Sequence, residues 1–211
     1  MNAYSRLRGS GSITGNGGVT LAAASSKLCG SLTVNNVTAA SGGTYGDQGS
    51  TVAAKVVGSF TAGGVQTVQY GSLTIGKECV VTNAAGTANT TAASFSIAAN
   101  GNLRIEKDLT VAGLTVAAGG TITLVGAKSN GVWDVPELTV TGTTSYPGTV
   151  NVVLDFGTAN VPSGFKVKLP TGVTAQNVTV TDSKGQRKWR VAAEGDNLYA
   201  TSDGGFRLVI F

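Results

Sequence analysis

Histidine is absent from this chain of 211 residues, and charged residues make up only 12% of it. Without histidine the chain cannot form a Ser-His-Asp triad, a Cys-His nucleophile pair, or a zinc or iron site with histidine ligands. Any catalysis would have to rest on carboxylates, Lys, Arg or Tyr. The composition therefore excludes several large classes of enzyme and metalloprotein before any motif is considered.

Cysteine is almost absent as well. Cys29 and Cys79 are 50 positions apart in the sequence, a spacing that matches no common metal site. They could form one disulfide bond. Alternatively, they are two small buried hydrophobic residues, since unbonded cysteine is among the most buried residue types.

Three further shortages narrow the class of protein. Proline occurs only 4 times and hydrophobic residues reach 41%, which disfavours disorder. No run approaches the roughly 18 apolar residues of a membrane span, so we expect no membrane insertion. The net charge of +4 is spread thinly over the chain and does not indicate a nucleic-acid partner.

Small and β-branched residues are abundant, because Gly, Thr and Val account for 85 of the 211 residues. Thr and Val favour strands, and Gly favours tight turns, so the sequence predicts an all-β protein. Short apolar-polar-apolar triplets recur, each predicting a three-residue strand. They lie at residues 32–34, 73–75, 103–105, 109–111, 114–116, 122–124 and 138–140.

Two segments resemble each other at an offset of 19 residues: 94–105 aligns with 113–124. Two triplets joined by Ala-Ala and a Gly pair or Asn-Gly, with a third triplet between them, would form one coil of a three-sided β-solenoid. We therefore predict a parallel β-helix with short three-residue strands and about 19 to 24 residues per rung. A β-sandwich is the competing architecture, and residues 151–211 are more typical of one.

The chain changes character near Val150. Charged residues number 14 in the first 150 positions and 12 in the last 61. Residues 189–191, 198–200 and 206–210 alternate cleanly between turns, which predicts an antiparallel meander. We expect a solenoid domain over residues 1–150 and a C-terminal β cap over residues 151–211, because an open sheet end needs an atypical terminal unit. No comparable unit precedes Gly9, so the N-terminal end is expected to be open or capped by another molecule.

The two ends of the chain carry a family resemblance. Residues 9–15, Gly-Ser-Gly-Ser-Ile-Thr-Gly, followed by Gly-Val-Thr-Leu at 18–21, resemble autotransporter-associated β-strand repeats. Residues 189–211 are similar to the C-termini of large repeat-containing bacterial surface proteins. The resemblance implies a β-helical passenger, extracellular or on a bacterial cell surface, without catalytic residues of its own.

One segment concentrates positive charge, and it is the candidate binding site. Lys184, Arg187, Lys188 and Arg190 surround Trp189 and could contact a polyanion or a surface glycan. The alternative is a solvated turn and strand edge, where charges oppose aggregation.

Two pairs of carboxylates are candidates for a polysaccharide-active enzyme. They are Glu106 with Asp108, and Asp134 with Glu137 near Trp133, a residue that could stack on a sugar. The eleven acidic residues show no clustering, however. We therefore expect a protein with no catalytic residues, no metal and no cofactor.

Two hypotheses follow. In the first, the protein is a structural unit that associates with copies of itself through β edges into a filament or surface assembly. In the second, it is an adhesin-like module that binds glycan or matrix.

Overall fold

The computed structural model describes residues 6–22, 26–39, 42–46, 53–83, 94–185 and 187–203. Within these ranges the chain forms seventeen β-strands and no helix, which confirms the all-β prediction. The strands are β1 (Arg6–Thr20), β2 (Lys27–Ala39), β3 (Thr44–Tyr45), β4 (Ala53–Ala62), β5 (Val65–Ile75), β6 (Val80–Asn83), β7 (Ser94–Ile105), β8 (Leu109–Val116), β9 (Thr121–Val125), β10 (Ala127–Ser129), β11 (Val132–Asp134), β12 (Leu138–Ser145), β13 (Val150–Asp155), β14 (Lys166–Lys168), β15 (Val178–Asp182), β16 (Trp189–Glu194) and β17 (Asn197–Ser202).

The strands of the described residues belong to three sheets. Twelve of them form a main sheet in which every pairing is parallel. Strands β10 and β11 form a separate antiparallel hairpin, and β14, β17 and β16 form an antiparallel sheet of three strands.

The prediction of a β-solenoid built from three-residue strands is wrong. Strands β2, β3, β5 and β4 instead close into a four-stranded parallel barrel, and the other strands of the main sheet bond outside it. The physical reason is strand length. Strand β2 has 13 residues and β5 has 11, so each can hold β3 and β4 one after the other along its length.

The main sheet extends outward from the barrel, and among the described residues four of its strands, β1, β6, β12 and β15, have a single partner strand. A path of parallel pairs runs from β1 through β2, β4, β5, β7, β9 and β13 to β15. Strand β7 pairs with β8 and β9 in the registers Phe95 to Leu114 and Leu103 to Ile122, both offsets of 19 residues. Among the described residues, β1 pairs only with β2 and β15 only with β13.

The core is formed by the inward-facing side chains of these strands. Leu73, Leu103, Ile122 and Val152 are neighbours in successive strands, and each is completely buried. Burying an aliphatic side chain of this size contributes roughly 1.5 to 3 kcal/mol, so a line of such residues stabilises the parallel register strongly. Polar residues alternate with them along the strands, but Thr74 and Thr123 are themselves buried, and Thr123 donates to Asn102 Oδ1 at 3.0 Å.

Aromatic and amide side chains fill the interior near the barrel. The rings of Tyr45 and Phe60 pack edge to face with centroids 6.2 Å apart. The Tyr45 hydroxyl donates to Gln66 Oε1 at 2.9 Å, and Gln66 Nε2 donates to the Gly63 carbonyl at 2.6 Å. Burial raises the pKa of Tyr45 above its ordinary value, so the phenol stays a hydrogen-bond donor.

The last part of the chain contributes to two sheets. Strands β13 and β15 follow Val150 and belong to the main sheet, while β16 and β17 pair across a turn at residues 194–197. Strand β14 pairs with the other side of β17. The third strand of the predicted meander, at 206–210, lies outside the described residues. The division of the chain into domains at Val150 stays a prediction.

Candidate functional site

The basic segment, defined by Lys184, Arg187, Lys188, Trp189 and Arg190, covers part of the connection from β15 to β16 and the first two residues of β16. Asp182 organises it, because its carboxylate accepts the backbone N–H of Lys184 at 3.0 Å and that of Arg187 at 2.7 Å. The indole N–H of Trp189 lies 3.4 Å from the same carboxylate. An aspartate that accepts backbone N–H groups two or more residues ahead is the usual way to hold such a turn.

Two members of the segment turn into the protein. The Arg187 guanidinium donates to the carbonyl oxygens of Val161 at 2.9 Å and Asp203 at 3.4 Å. The Trp189 ring stacks on Phe156, with centroids 6.1 Å apart. Both side chains therefore serve the packing between the main sheet and the C-terminal strands.

The other three members face solvent. Lys184 and Lys188 are exposed, and Arg190 pairs with Asp203 at 2.7 Å while its side chain remains 81% exposed. The structure thus separates the five residues into an inward pair and an outward group of three. A contact with a polyanion or glycan at this segment stays a prediction.

The two candidate carboxylate pairs have partners other than each other. Glu106 bonds with the ammonium group of Lys55 at 2.7 Å, and Glu137 with that of Lys168 at 2.8 Å. Asp108 accepts the backbone N–H of Glu137 at 2.9 Å. These bonds tie neighbouring strands and loops together, and they give Glu106, Asp108 and Glu137 a structural role, while Asp134 is exposed.

A further carboxylate, Asp155 at the end of β13, was not singled out by sequence. Burial acts to raise its pKa, but hydrogen bonds from Arg104, the Gly157 N–H and Ser183 outweigh burial and hold the pKa below its ordinary value. The Arg104 contact is 2.8 Å long. A general acid needs a raised pKa, so this carboxylate is suited to linking strands and not to donating a proton.

Both cysteines are completely buried, and no disulfide bond joins them. This arrangement agrees with the second of the two alternatives, small buried hydrophobic residues. Burial raises the pKa of the Cys79 thiol to about 11, although the nearby Lys107 ammonium opposes the shift.

The outer edge of β1 carries a feature that motif analysis missed. A cleft of about 300 Å³, here named the edge cleft, lies beside this strand. Its apolar lining comes from Leu7, Ile13, Val19 and Leu21. A sequence signal was present, because residues 9–20 contain neither a charged residue nor a proline.

A second surface feature lies between β11 and β14. This cleft of about 310 Å³, here named the aromatic groove, has a lining that includes Trp133, Asp134, Glu137, Phe165, Lys166, Lys168 and Tyr199. The sequence analysis considered only Trp133 and the two acidic residues. Lys166 and Lys168 belong to β14, some 30 residues further along the chain, and the fold places them beside Trp133 and the acidic residues.

A third cleft of about 420 Å³ lies between residues 169–176 and the hairpin of β16 and β17. Asp196 is the one charged residue of its lining, and no aromatic ring contributes. It therefore offers less chemistry for recognition than the aromatic groove.

In the described part of the chain no group of three or more Cys, Asp or Glu side chains could hold a metal ion. Nor does that part contain a helix able to cross a membrane. Comparison of the chain with protein-family models, curated proteins and solved structures found no match.

Proposed function

We propose that the protein is a non-catalytic structural unit that associates with copies of itself through the edge of β1. The observation that carries this proposal is a long strand edge that contains neither charge nor proline over residues 9–20. Strand β1 spans 15 residues and pairs on one side only within the described residues. Exposed strand edges are templates for pairing with another chain.

Natural proteins protect such edges with charge, proline or short strands. Residues 9–20 have none of the first two, and Ser12 and Thr14 are exposed. A register shift between Ile13 and Gly18 is the one irregularity of β1 against β2. Bulges also protect edges, so among the described residues the edge is open to a further strand on either side of this bulge, over residues 9–13 and 18–20.

Apolar surface beside the edge adds a driving force for association. Leu7 is 36% exposed, and Ile13 is only partly buried at the edge cleft. Covering apolar surface contributes about 25 cal/mol per Å², so a strand that adds to β1 and fills the cleft gains from burial as well as from backbone hydrogen bonds.

The occupant we propose is β15 of a second copy. Strands β1 and β15 end the same path of parallel pairs, so placing β1 of one copy on β15 of the next continues the parallel sheet. Two β1 edges are a poorer match, because residues 1–46 carry three basic residues and no acidic one. A head-to-tail contact that does not close on itself produces a filament.

Charged substitutions on β1 test this proposal. The double variant Ser12→Lys and Thr14→Lys places two charges on the open edge and should abolish association. Sedimentation velocity over a range of concentrations, with electron microscopy of the same samples, should show filaments of the wild-type protein and monomers of the variant.

The matched control is Thr115→Lys. Thr115 is also exposed and lies in a strand, but it pairs with Ser145 on one side and Ser96 on the other. This variant should assemble as the wild type does. A wild-type protein that stays monomeric at high concentration, or a control that loses assembly equally, contradicts the role of β1.

The resemblance to autotransporter-associated repeats supports an extracellular or bacterial surface location as part of the same proposal. The paired state of Glu106, Glu137 and Asp155 supports its non-catalytic part. Binding of a glycan is the second candidate function, and one particular surface favours it.

A further inference from the structure

The aromatic groove combines ring surfaces with polar groups of both signs. Trp133 packs against Phe156 at 5.0 Å and Phe165 at 6.2 Å between ring centroids, and the Lys128 ammonium lies 5.8 Å from the centre of the Trp133 ring. The volume of the aromatic groove, about 310 Å³, lies at the lower end of the range of roughly 300 to 1,000 Å³ that small-molecule sites occupy.

The charges that line the groove cancel. Lys168 bonds with Glu137 at 2.8 Å, and Lys166 bonds with Glu194 while its ammonium group lies 4.1 Å from the centre of the Tyr199 ring. Asp134 is exposed at the rim. The groove thus offers hydrogen-bond donors and acceptors side by side without a net field.

Trp133 adds an unused donor. Its indole N–H is shielded from solvent and has no acceptor among the described residues. A buried donor without a partner costs about 1 to 3 kcal/mol, and tryptophan N–H groups usually avoid that cost. A bound molecule with an acceptor would relieve it after a small rotation of the ring.

We propose that the aromatic groove binds a neutral saccharide. A sugar ring has an apolar face of C–H groups that can lie on an aromatic ring, and hydroxyl groups that both donate and accept hydrogen bonds. The aromatic rings of the groove can contact the C–H face of the sugar. The paired Lys168 and Glu137 can donate to and accept from its hydroxyl groups. A polyanion would meet two carboxylates, and an apolar ligand would leave the charged groups of the groove desolvated.

This site is separate from the edge of β1, so its test is independent of self-association. An array of neutral oligosaccharides containing glucose, mannose, galactose or N-acetylglucosamine is probed with the full chain, with sulfated and uronic-acid oligosaccharides for comparison. We expect binding to a neutral member, and calorimetry with that oligosaccharide then gives its affinity.

The decisive variant is Trp133→Phe, which keeps a ring in place and removes the N–H group. It should weaken binding about tenfold, as expected for the loss of one hydrogen bond and part of the stacking surface. Glu137→Gln should weaken binding as well, because it removes the charge that holds Lys168.

The matched control is Trp189→Phe, which changes the other tryptophan of the same aromatic cluster but does not line the groove. Its affinity should equal that of the wild type. Equal losses in both tryptophan variants, binding only to the acidic oligosaccharides, or no binding on the array would overturn the proposal. A loss confined to Lys188→Ala and Arg190→Ala would overturn it too and assign binding to the basic segment.

Discussion

At the scale of single residues, the buried amide of Gln66 has both a donor and an acceptor as partners. Gln66 is completely buried, and it is kept in the core by the Tyr45 hydroxyl and the Gly63 carbonyl. Burying an amide costs free energy unless its hydrogen bonds are replaced. The hydroxyl oxygen of Tyr45 therefore contributes directly to stability, because it supplies a hydrogen bond that Gln66 loses when it leaves water.

Removing the Tyr45 hydroxyl should destabilise the protein although it leaves the ring packing intact. Tyr45→Phe leaves Gln66 Oε1 without its donor, and we expect a loss of about 1 to 3 kcal/mol in the free energy of unfolding. Urea unfolding followed by tryptophan fluorescence measures it. Tyr146→Phe is the control, because Tyr146 is partly exposed and water can replace its bond to the Thr171 carbonyl. Similar losses in the two variants would argue against the role of Gln66.

The groove shows what residue-level patterns could and could not predict. Trp133 and Glu137 were recognisable as chemistry-bearing residues because they lie close in sequence. Lys168 reaches Glu137 from 31 positions away, where Thr171, just after β14, bonds to Leu138 and Val140 of β12. A contact of that kind depends on how sheets pack and leaves no local pattern in the sequence.

At the scale of elements, apolar triplets marked where strands lie but not how long they are. The triplet at residues 73–75 is the end of β5, which begins eight residues earlier at Val65. Asn100 and Gly101, between two triplets, indicate a corner in the sequence. They continue β7 in the structure, where they pair with Tyr70 and Gly71 of the parallel strand β5. The solenoid prediction was wrong because strand length, which tertiary pairing determines, was taken from local alternation alone.

Two glycines, one in a strand and one in a turn, are needed for different reasons. A methyl group at Gly101 would meet the Val68 carbonyl oxygen of the neighbouring strand, whereas one at Gly131 would meet no atom within 4 Å. Gly131 instead has a φ of 82°, in the hairpin turn between β10 and β11. The first glycine permits close backbone approach, and the second permits a left-handed turn.

Alanine substitution separates the two cases. Gly131→Ala should cost about 1 to 2 kcal/mol from backbone strain alone. Gly101→Ala should cost at least about 3 kcal/mol, because β7 must move away from β5 to relieve the clash. Chemical unfolding of both variants gives the comparison. A Gly101→Ala variant as stable as Gly131→Ala would show that the two strands are not packed this closely.

At the scale of the whole molecule, the four strands of the barrel can form only together. Strand β3 is two residues long and is held between β2 and β5, while β4 closes the other side. The residues that pair in the barrel are 17 to 23 positions apart in the sequence, so contacts between near neighbours contribute little to its formation. We therefore expect the barrel and the strands bonded to it to open cooperatively.

The two buried thiols can report on that cooperativity. Cys29 lies in β2 of the barrel and Cys79 lies just before β6, outside it, and both are completely buried. The raised pKa of the Cys79 thiol keeps it protonated at pH 8, where a protonated thiol reacts poorly with disulfide reagents.

If opening is global, both cysteines should react with such a reagent at the same rate, at least about a thousandfold slower than in the unfolded chain. Measurement in the single variants Cys29→Ser and Cys79→Ser assigns each rate to one thiol. Fast reaction of Cys79 beside slow reaction of Cys29 would show that β6 opens by itself while the barrel stays closed.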